Sequence, residues 1–172
     1  MKELSQAPNA CFFANCGVWG LAGIKRQYCM NNIQTQIIEF DNSKHRKQVV
    51  DLWQTVFSYE ASHNSPEVVI DKKLQNNDDL FFVIQNDQKV IGTVMAGYDG
   101  HRGWIYSIAV HPEYQKQGIG SDLLSFIHGQ LEELGCLKIN LQIMKGNEAV
   151  QKFYLANGYS VEKRVSMGKK LY

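Results

Sequence analysis

The stretch Trp104-Ile-Tyr-Ser-Ile-Ala-Val-His-Pro-Glu-Tyr-Gln-Lys-Gln-Gly-Ile-Gly-Ser121 carries three structural signals in succession. Trp104–Val110 is rich in β-branched and aromatic residues and reads as a strand. His111-Pro112 ends it, because proline cannot continue a central ladder. After a polar loop, Gly118 and Gly120 stand where a helix begins. That helix is predicted from about 118 to 134, with Ile119, Leu123, Leu124, Ile127, Leu131 and Leu134 forming one apolar stripe and Gly135 closing it. Lys138–Ile143 alternates apolar with polar residues, so strand, helix and strand make a parallel crossover. Unpaired N–H groups at a helix start bind phosphate. Glycines at 118 and 120 let the backbone approach an anion closely, and Gln115, Lys116 and Gln117 can add donors. The loop is not a nucleotide P-loop, since no Gly-Lys-Ser/Thr follows, and the three-glycine spacing of a dinucleotide fingerprint is missing.

On the N-terminal side, Thr35–Phe40 alternates as a strand and Asp41-Asn42-Ser43 offers a helix cap. Val49, Val50, Leu52, Trp53, Val56 and Phe57 recur at helical spacing across 44–57. Ser65-Pro66-Glu67 opens a second helix carrying Val69, Ile70 and Leu74. Leu80–Gln85, Lys89–Tyr98 and Trp104–Val110 are separated by Asn86-Asp87 and Asp99-Gly100 turns, which predicts an antiparallel meander. On the C-terminal side, 147–157 reads as a helix with Val150, Phe153 and Tyr154, stopped by Gly158, and Tyr159–Lys170 as a last extended segment. The order β-α-α-β-β-β-α-β-α-β describes an α+β domain with a mixed sheet.

Length and composition agree. The 172 residues suit one domain with an appendage, and 18 Lys+Arg against 17 Asp+Glu leave no basic stripe for nucleic acid. No apolar run approaches the roughly 18–20 residues of a membrane span. Cys11, Cys16, Cys29 and Cys136 fit no zinc spacing, so we expect no metal and a reduced, cytoplasmic chain. Residues 1–29 are sparse in charge and without period, and glycines and Glu3 spoil a signal peptide. We read 1–29 as an extension and 30–172 as the domain.

Gln115-Lys-Gln-Gly-Ile-Gly120 resembles the pyrophosphate loop of the GNAT N-acetyltransferases. Ile108-Ala109-Val110-His-Pro before it, and Asn147, Phe153-Tyr154 and Asn157-Gly158-Tyr159 after it, match in order and spacing, so the resemblance covers about residues 33–172. Gly97-Tyr-Asp-Gly-His-Arg-Gly103 and Ser166-Met-Gly-Lys-Lys-Leu171 resemble a YpeA-like branch. The resemblance implies a GNAT acyl-CoA N-acyltransferase fold with about four helices and a sheet splayed at the cofactor site. It implies acetyl-CoA as co-substrate. Ile108, Ala109 and Val110 would face the pantetheine. Gln115, Lys116, Gln117, Gly118, Ile119, Gly120 and Ser121 would cradle the diphosphate. Asn147 would hydrogen-bond the pantetheine, and Tyr154 would point its hydroxyl at the sulfur.

Amine attack on a thioester needs a neutral amine, donors for the oxyanion and a proton for the departing thiolate. A tyrosine near its ordinary pKa of about 10 is roughly matched to a thiol of about 8.5. The positions where some relatives carry a His or Glu base hold Tyr106 and Trp104, so a water chain is expected to remove the amine proton. Tyr59, Glu60, Tyr106 and His101 are candidates for the acceptor side, with Asp99 and His63 as further relays through water. The function expected is acetyl transfer to a primary amine of a small molecule or peptide. The alternative is a non-catalytic acyl-CoA-binding sensor or scaffold of the same fold. Exposed strand edges allow a homodimer.

Overall fold

The computed structural model describes residues 26–30, 33–57 and 64–171. Six strands and four α-helices follow one another among them: β1 (Arg26–Met30), β2 (Ile33–Glu39), α1 (Asn42–Val56), α2 (Pro66–Asn76), β3 (Phe81–Asn86), β4 (Lys89–Tyr98), β5 (Gly103–Val110), α3 (Ile119–Glu133), β6 (Ile139–Leu141) and α4 (Glu148–Ala156). The strands lie side by side in chain order. The first five are antiparallel, and β6 joins β5 in parallel. The meander predicted over 80–110 is present, and β2 and β1 extend it. β1 takes residues 26–29 from the stretch read as an extension, while 1–25 lie outside the described residues.

The helices cover both faces of the sheet. On one face α3 and α4 bury Ile119, Leu123, Leu124, Ile127, Leu131 and Tyr154 against Phe82, Ile84, Val94 and Ile105. On the other, α1 and α2 bury Val49, Leu52, Trp53 and Ile70 against Phe81, Val83, Met95 and Ala109. Two separate cores from alternate residues of the same strands are what period-two patterning produces in a sheet covered on both sides. The indole of Trp53 donates to Thr93 Oγ1 at 2.8 Å, so both polar groups of this buried pair are satisfied. Asp41, inside the predicted cap, caps α1 by accepting from the Ser43 and Lys44 N–H groups, and His45 Nδ1 accepts from the Asp41 N–H in return.

The last extended segment is a correction. Residues 159–171 form no strand. They are tied to the β6 region by side chains, Lys138 Nζ donating to Glu162 and Gln142 Nε2 to Ser166 Oγ. Each link joins residues 24 apart, so the segment runs alongside β6 in the same direction. Val161, Val165 and Met167 stay exposed, so the alternation that suggested a strand finds no core to fill. Among the described residues no helix is long and apolar enough to cross a membrane.

Candidate active site

β5 pairs with β4 from Gly103 to Val110, but with β6 only at Gly103–Ile139, Trp104–Asn140 and Ile105–Leu141. Beyond Ile105 the two strands part. The ladder between β4 and β5 also changes register there: Met95 faces Ser107 and Ala96 faces Ile105, so Tyr106 is the extra residue of a β-bulge. A bulge bends its strand and leaves the extra residue outside the ladder. The bulge and the parting of the strands begin at the same residue.

The parted strand leads into the glycine loop. Ile108 and Val110 pack against the α3/α4 core, and Ala109 is buried in the opposite one. Gly118 caps α3 with φ +89°, a left-handed conformation that costs glycine nothing. Ser121 and Asp122 N–H groups return to the Gly118 carbonyl at 2.9 and 3.0 Å, whereas those of Gly118, Ile119 and Gly120 meet no acceptor among the described residues. Three orphan amides at a helix start, with the dipole's positive end, suit a diphosphate. The Ile119 side chain is buried beneath them. At Gly120 a Cβ would lie 3.1 Å from the Phe153 ring of α4, so the residue type is fixed by close packing as well as by ligand access.

Two expected donors turn inward. Gln115 Nε2 donates to the Val110 carbonyl at 2.9 Å, and Gln117 Nε2 to the Glu113 carbonyl at 3.0 Å. Carbonyls left open where a strand ends need partners, and these two side chains supply them. The glutamines therefore brace the loop, while Lys116 is exposed, with φ +60°. Asn147 is likewise partly committed: it caps α4, its Oδ1 accepting from the Val150 N–H at 3.2 Å.

Tyr154 is 6% exposed and joins the core beneath the parting strands. Its ring meets those of Phe153 and Tyr159 edge-on, at 5.2 and 5.3 Å between centroids. Tyr159 hydrogen-bonds His128 Nε2 at 2.7 Å, whereas the Tyr154 hydroxyl has no partner among the described residues. Burial pushes the Tyr154 phenol up to about 12. The rough match to a thiol expected from sequence is lost: full transfer to a thiolate of about 8.5 would be uphill by roughly 5 kcal/mol. Tyr154 is thus built to stay protonated and donate a hydrogen bond.

Other expected residues separate. Tyr59, Glu60 and His63 lie outside the described residues. His101 is exposed in the turn between β4 and β5. Asp99 holds that turn, accepting from the His101 and Arg102 N–H groups and from the Trp104 indole, and the two backbone bonds hold its carboxyl below the usual range. As a fully bonded carboxylate it is a poor relay.

Three further residues have no site role in the sequence reading. Lys73 of α2 is buried, with its ammonium donating to Asp78 and to the Ala96 carbonyl beside the bulge. Desolvation lowers its pKa, partly offset by Asp78. The ammonium also lies 5.8 Å from the Tyr106 ring centroid. Gly97 provides the notch in which that ring rests, since a Cβ there would fall 2.4 Å from the Tyr106 hydroxyl. Ser107 carries a buried hydroxyl with no hydrogen-bond partner among the described residues. The available signals were a lysine three residues after Ile70 on an apolar helix face and a glycine inside a strand.

Residues 46–159 match the acetyltransferase (GNAT) family model. The chain belongs to that family. It is an acetyltransferase, as are its relatives: it is 38% identical over 126 residues to an acetyltransferase of Sodalis glossinidius (strain morsitans), covering 73% of this chain and 88% of that one. An acetyltransferase of Pectobacterium atrosepticum is 37% identical over 123 residues, covering 72% and 86%. Among solved structures, Ard1 from Thermoplasma volcanium superposes with TM-score 0.65 at 21% identity, covering 74% of this chain and 84% of its own. The PaiA N-acetyltransferase of Thermoplasma acidophilum, determined with coenzyme A, also reaches 0.65, at 18% identity and 76% and 92% coverage. These likenesses establish the GNAT fold, with its mixed sheet opening between β5 and β6.

Proposed function

We propose that this GNAT protein transfers an acetyl group from acetyl-CoA to a primary amine by direct attack while both are bound. One observation carries the reading: β5 leaves β6 beyond Ile105 and runs on to Val110, which lies next to Gly120 in the run of three amides at the start of α3 that meet no acceptor among the described residues. A strand edge without a partner accepts an extended, amide-bearing chain as if it were another strand, which is what a pantetheine arm provides. Acetyl-CoA supplies the activated acyl group. Gly118, Ile119 and Gly120 amides, with Lys116 and Ser121, hold the diphosphate. The backbone of Ile108 and Val110 takes the arm, and Asn147 Nδ2 reaches it from α4. Tyr154 donates a hydrogen bond to the departing sulfur and keeps its proton, and the thiolate is protonated from water. The amine proton leaves through water.

Thiol release from acetyl-CoA, followed across a panel of monoamines and N-terminal peptides, tests the reading, with coenzyme A binding measured separately by calorimetry. Tyr154→Phe is expected to keep coenzyme A affinity and lower turnover at least about tenfold, or roughly 1.4 kcal/mol in the barrier. Binding without release for every amine would favour the sensor or scaffold function. Unchanged turnover in the Tyr154 variant would make that side chain a packing residue.

A further inference from the structure

With no hydrogen-bond partner among the described residues, the Tyr154 hydroxyl takes its direction from what packs against its ring. Two aromatic rings do so: Phe153, its neighbour on α4, and Tyr159, just past the end of that helix. The way α4 ends delivers Tyr159 to that place. Gly158, at φ +86°, turns the chain back in the left-handed conformation. Its N–H donates to the Leu155 carbonyl at 3.1 Å, and the Tyr159 N–H donates to the Tyr154 carbonyl at 3.1 Å. This is the Schellman ending of a helix, which lays the residue after the glycine against the helix's last turn.

Any apolar side chain at 159 would complete that ending. The tyrosine adds a hydroxyl, and a different helix holds it: it lies 2.7 Å from His128 Nε2 of α3. The His128 ring is half-buried and tilted against that of Tyr159, with centroids 5.6 Å apart. Burial pushes the Tyr159 phenol up and the His128 imidazole down, although Glu132 on the next turn of α3 pulls the imidazole the other way. Both are therefore neutral at about pH 7, and the pair is a hydrogen bond between uncharged groups. Helix α3 thus contributes twice. Its start offers the amides for the diphosphate, and roughly 12 Å along, at 1.5 Å per residue from Gly120, His128 holds the ring beside Tyr154.

We infer that His128 and Tyr159 are positioning residues: their hydrogen bond fixes the Tyr159 ring, and that ring aims the Tyr154 hydroxyl at the departing sulfur. The inference rests on the proposed function and assigns the support of its hydrogen-bond donor. Tyr154 keeps its proton, so its whole contribution is one directional hydrogen bond, and such bonds weaken steeply as their angle worsens. Ring contacts hold that direction only while the neighbouring ring stays still. Misplacing a group by about 1 Å can cost roughly 100-fold in rate. Tying Tyr159 to α3 places the donor in the same rigid frame as the amides for the diphosphate.

The test measures kcat and KM for acetyl-CoA in the full chain, with whichever amine of the panel releases thiol fastest. Tyr159→Phe keeps the ring and loses only the tie. Its kcat should fall about threefold to fivefold, with KM and coenzyme A affinity unchanged. His128→Leu should match it, and His128→Gln, whose amide can still bond the Tyr159 hydroxyl, should restore most of the rate. Added to Tyr154→Phe, Tyr159→Phe should cost nothing further, because the hydroxyl it aims is gone. Ring packing alone would lower kcat by the same factor in both backgrounds, or lower only the melting temperature, and either result would overturn the inference. A second readout needs no amine. With isotope-labelled tyrosine, the Cζ NMR signal of Tyr154, identified by its loss in Tyr154→Phe, should move when coenzyme A binds the wild type and move less in Tyr159→Phe. Equal shifts in the two proteins, or none in the wild type, would overturn the inference. If no amine releases thiol, the proposed function falls, and this signal still decides whether the pair aims Tyr154.

Discussion

The two edges of β5 are treated differently. Toward β4 the strand is paired from Gly103 to Val110, with one residue left over at the bulge. Toward β6 it is paired at three positions and then abandoned. The β4 edge uses hydrogen bonds for stability; the β6 edge leaves them unmade and so presents a surface to bind with. Buried or half-buried backbone groups are rarely left unpaired unless something else completes them. The same residue, Tyr106, marks the change on both sides: it is skipped by the β4 ladder and is the first not to pair with β6. In this fold the site is a place where regular structure is withheld.

The largest expected effect follows from filling the open edge at its top. Gly120→Val would place a branched carbon where a Cβ alone already comes within 3.1 Å of the Phe153 ring. The collision pushes α3 and α4 apart and crowds the amides meant for the diphosphate. Overpacking of this kind costs about 1–3 kcal/mol. With direct obstruction added, coenzyme A affinity should drop roughly 100-fold by calorimetry. A variant that binds coenzyme A as the wild type does would show that the α3 start is not the anion site.

A smaller effect belongs to the bulge. In Gly97→Ala the new methyl would occupy the space of the Tyr106 hydroxyl, only 2.4 Å away. The half-exposed ring can swing outward, so the loss in stability should stay near about 1 kcal/mol. Displacing the Tyr106 ring, a candidate for the acceptor side, should weaken binding of a monoamine such as phenethylamine to the coenzyme A-loaded protein roughly threefold to tenfold, with coenzyme A affinity unchanged. Equal losses for both ligands would mean that the two edges are coupled and that the bulge shapes the whole site.

The same contrast explains what could be read from the chain. The cofactor edge uses backbone at the junction of a strand and a helix, and such a junction is written in order along the sequence: apolar strand, His111-Pro112, then Gly118 and Gly120. The four α-helices and the strands from β2 to β6 were visible by periodicity for the same reason. Tyr106 is an acceptor-side candidate only through the family resemblance, and nothing along the chain marks Ser107. The bulge is a register slip between two strands, and the buried state of Lys73 depends on Asp78 and the Ala96 carbonyl closing over it. Neither has a period. The internal partners of Gln115, Gln117 and Asn147 are not legible in the sequence, because a polar residue in a loop looks like a ligand donor until the carbonyl or N–H it satisfies is located. The segment after α4 failed in the opposite way, with strand-like alternation but no strand beside it.

The smallest effect concerns stability and pH, and it isolates the tie that holds the bulge. Desolvation lowers the pKa of Lys73 from the ordinary 10.5, so between its folded value and 10.5 the unfolded chain binds more protons than the folded one. Stability then rises with pH across that window, because raising pH favours the state that binds fewer protons. Above 10.5 the lysine is neutral in both states and the dependence ends; well below the folded value it is charged in both and the contribution is constant. Lys73→Met removes this titration along with the bonds to Asp78 and Ala96. In urea unfolding from pH 7 to 11, the stability of the wild type relative to Lys73→Met should climb as pH approaches 10.5 and level off beyond it. Parallel curves would mean that the ammonium is as well solvated in the fold as in the open chain. The tie from α2 to the Ala96 carbonyl would then carry no net cost of desolvation, and the difference between the two edges of β5 would not depend on pH in this range.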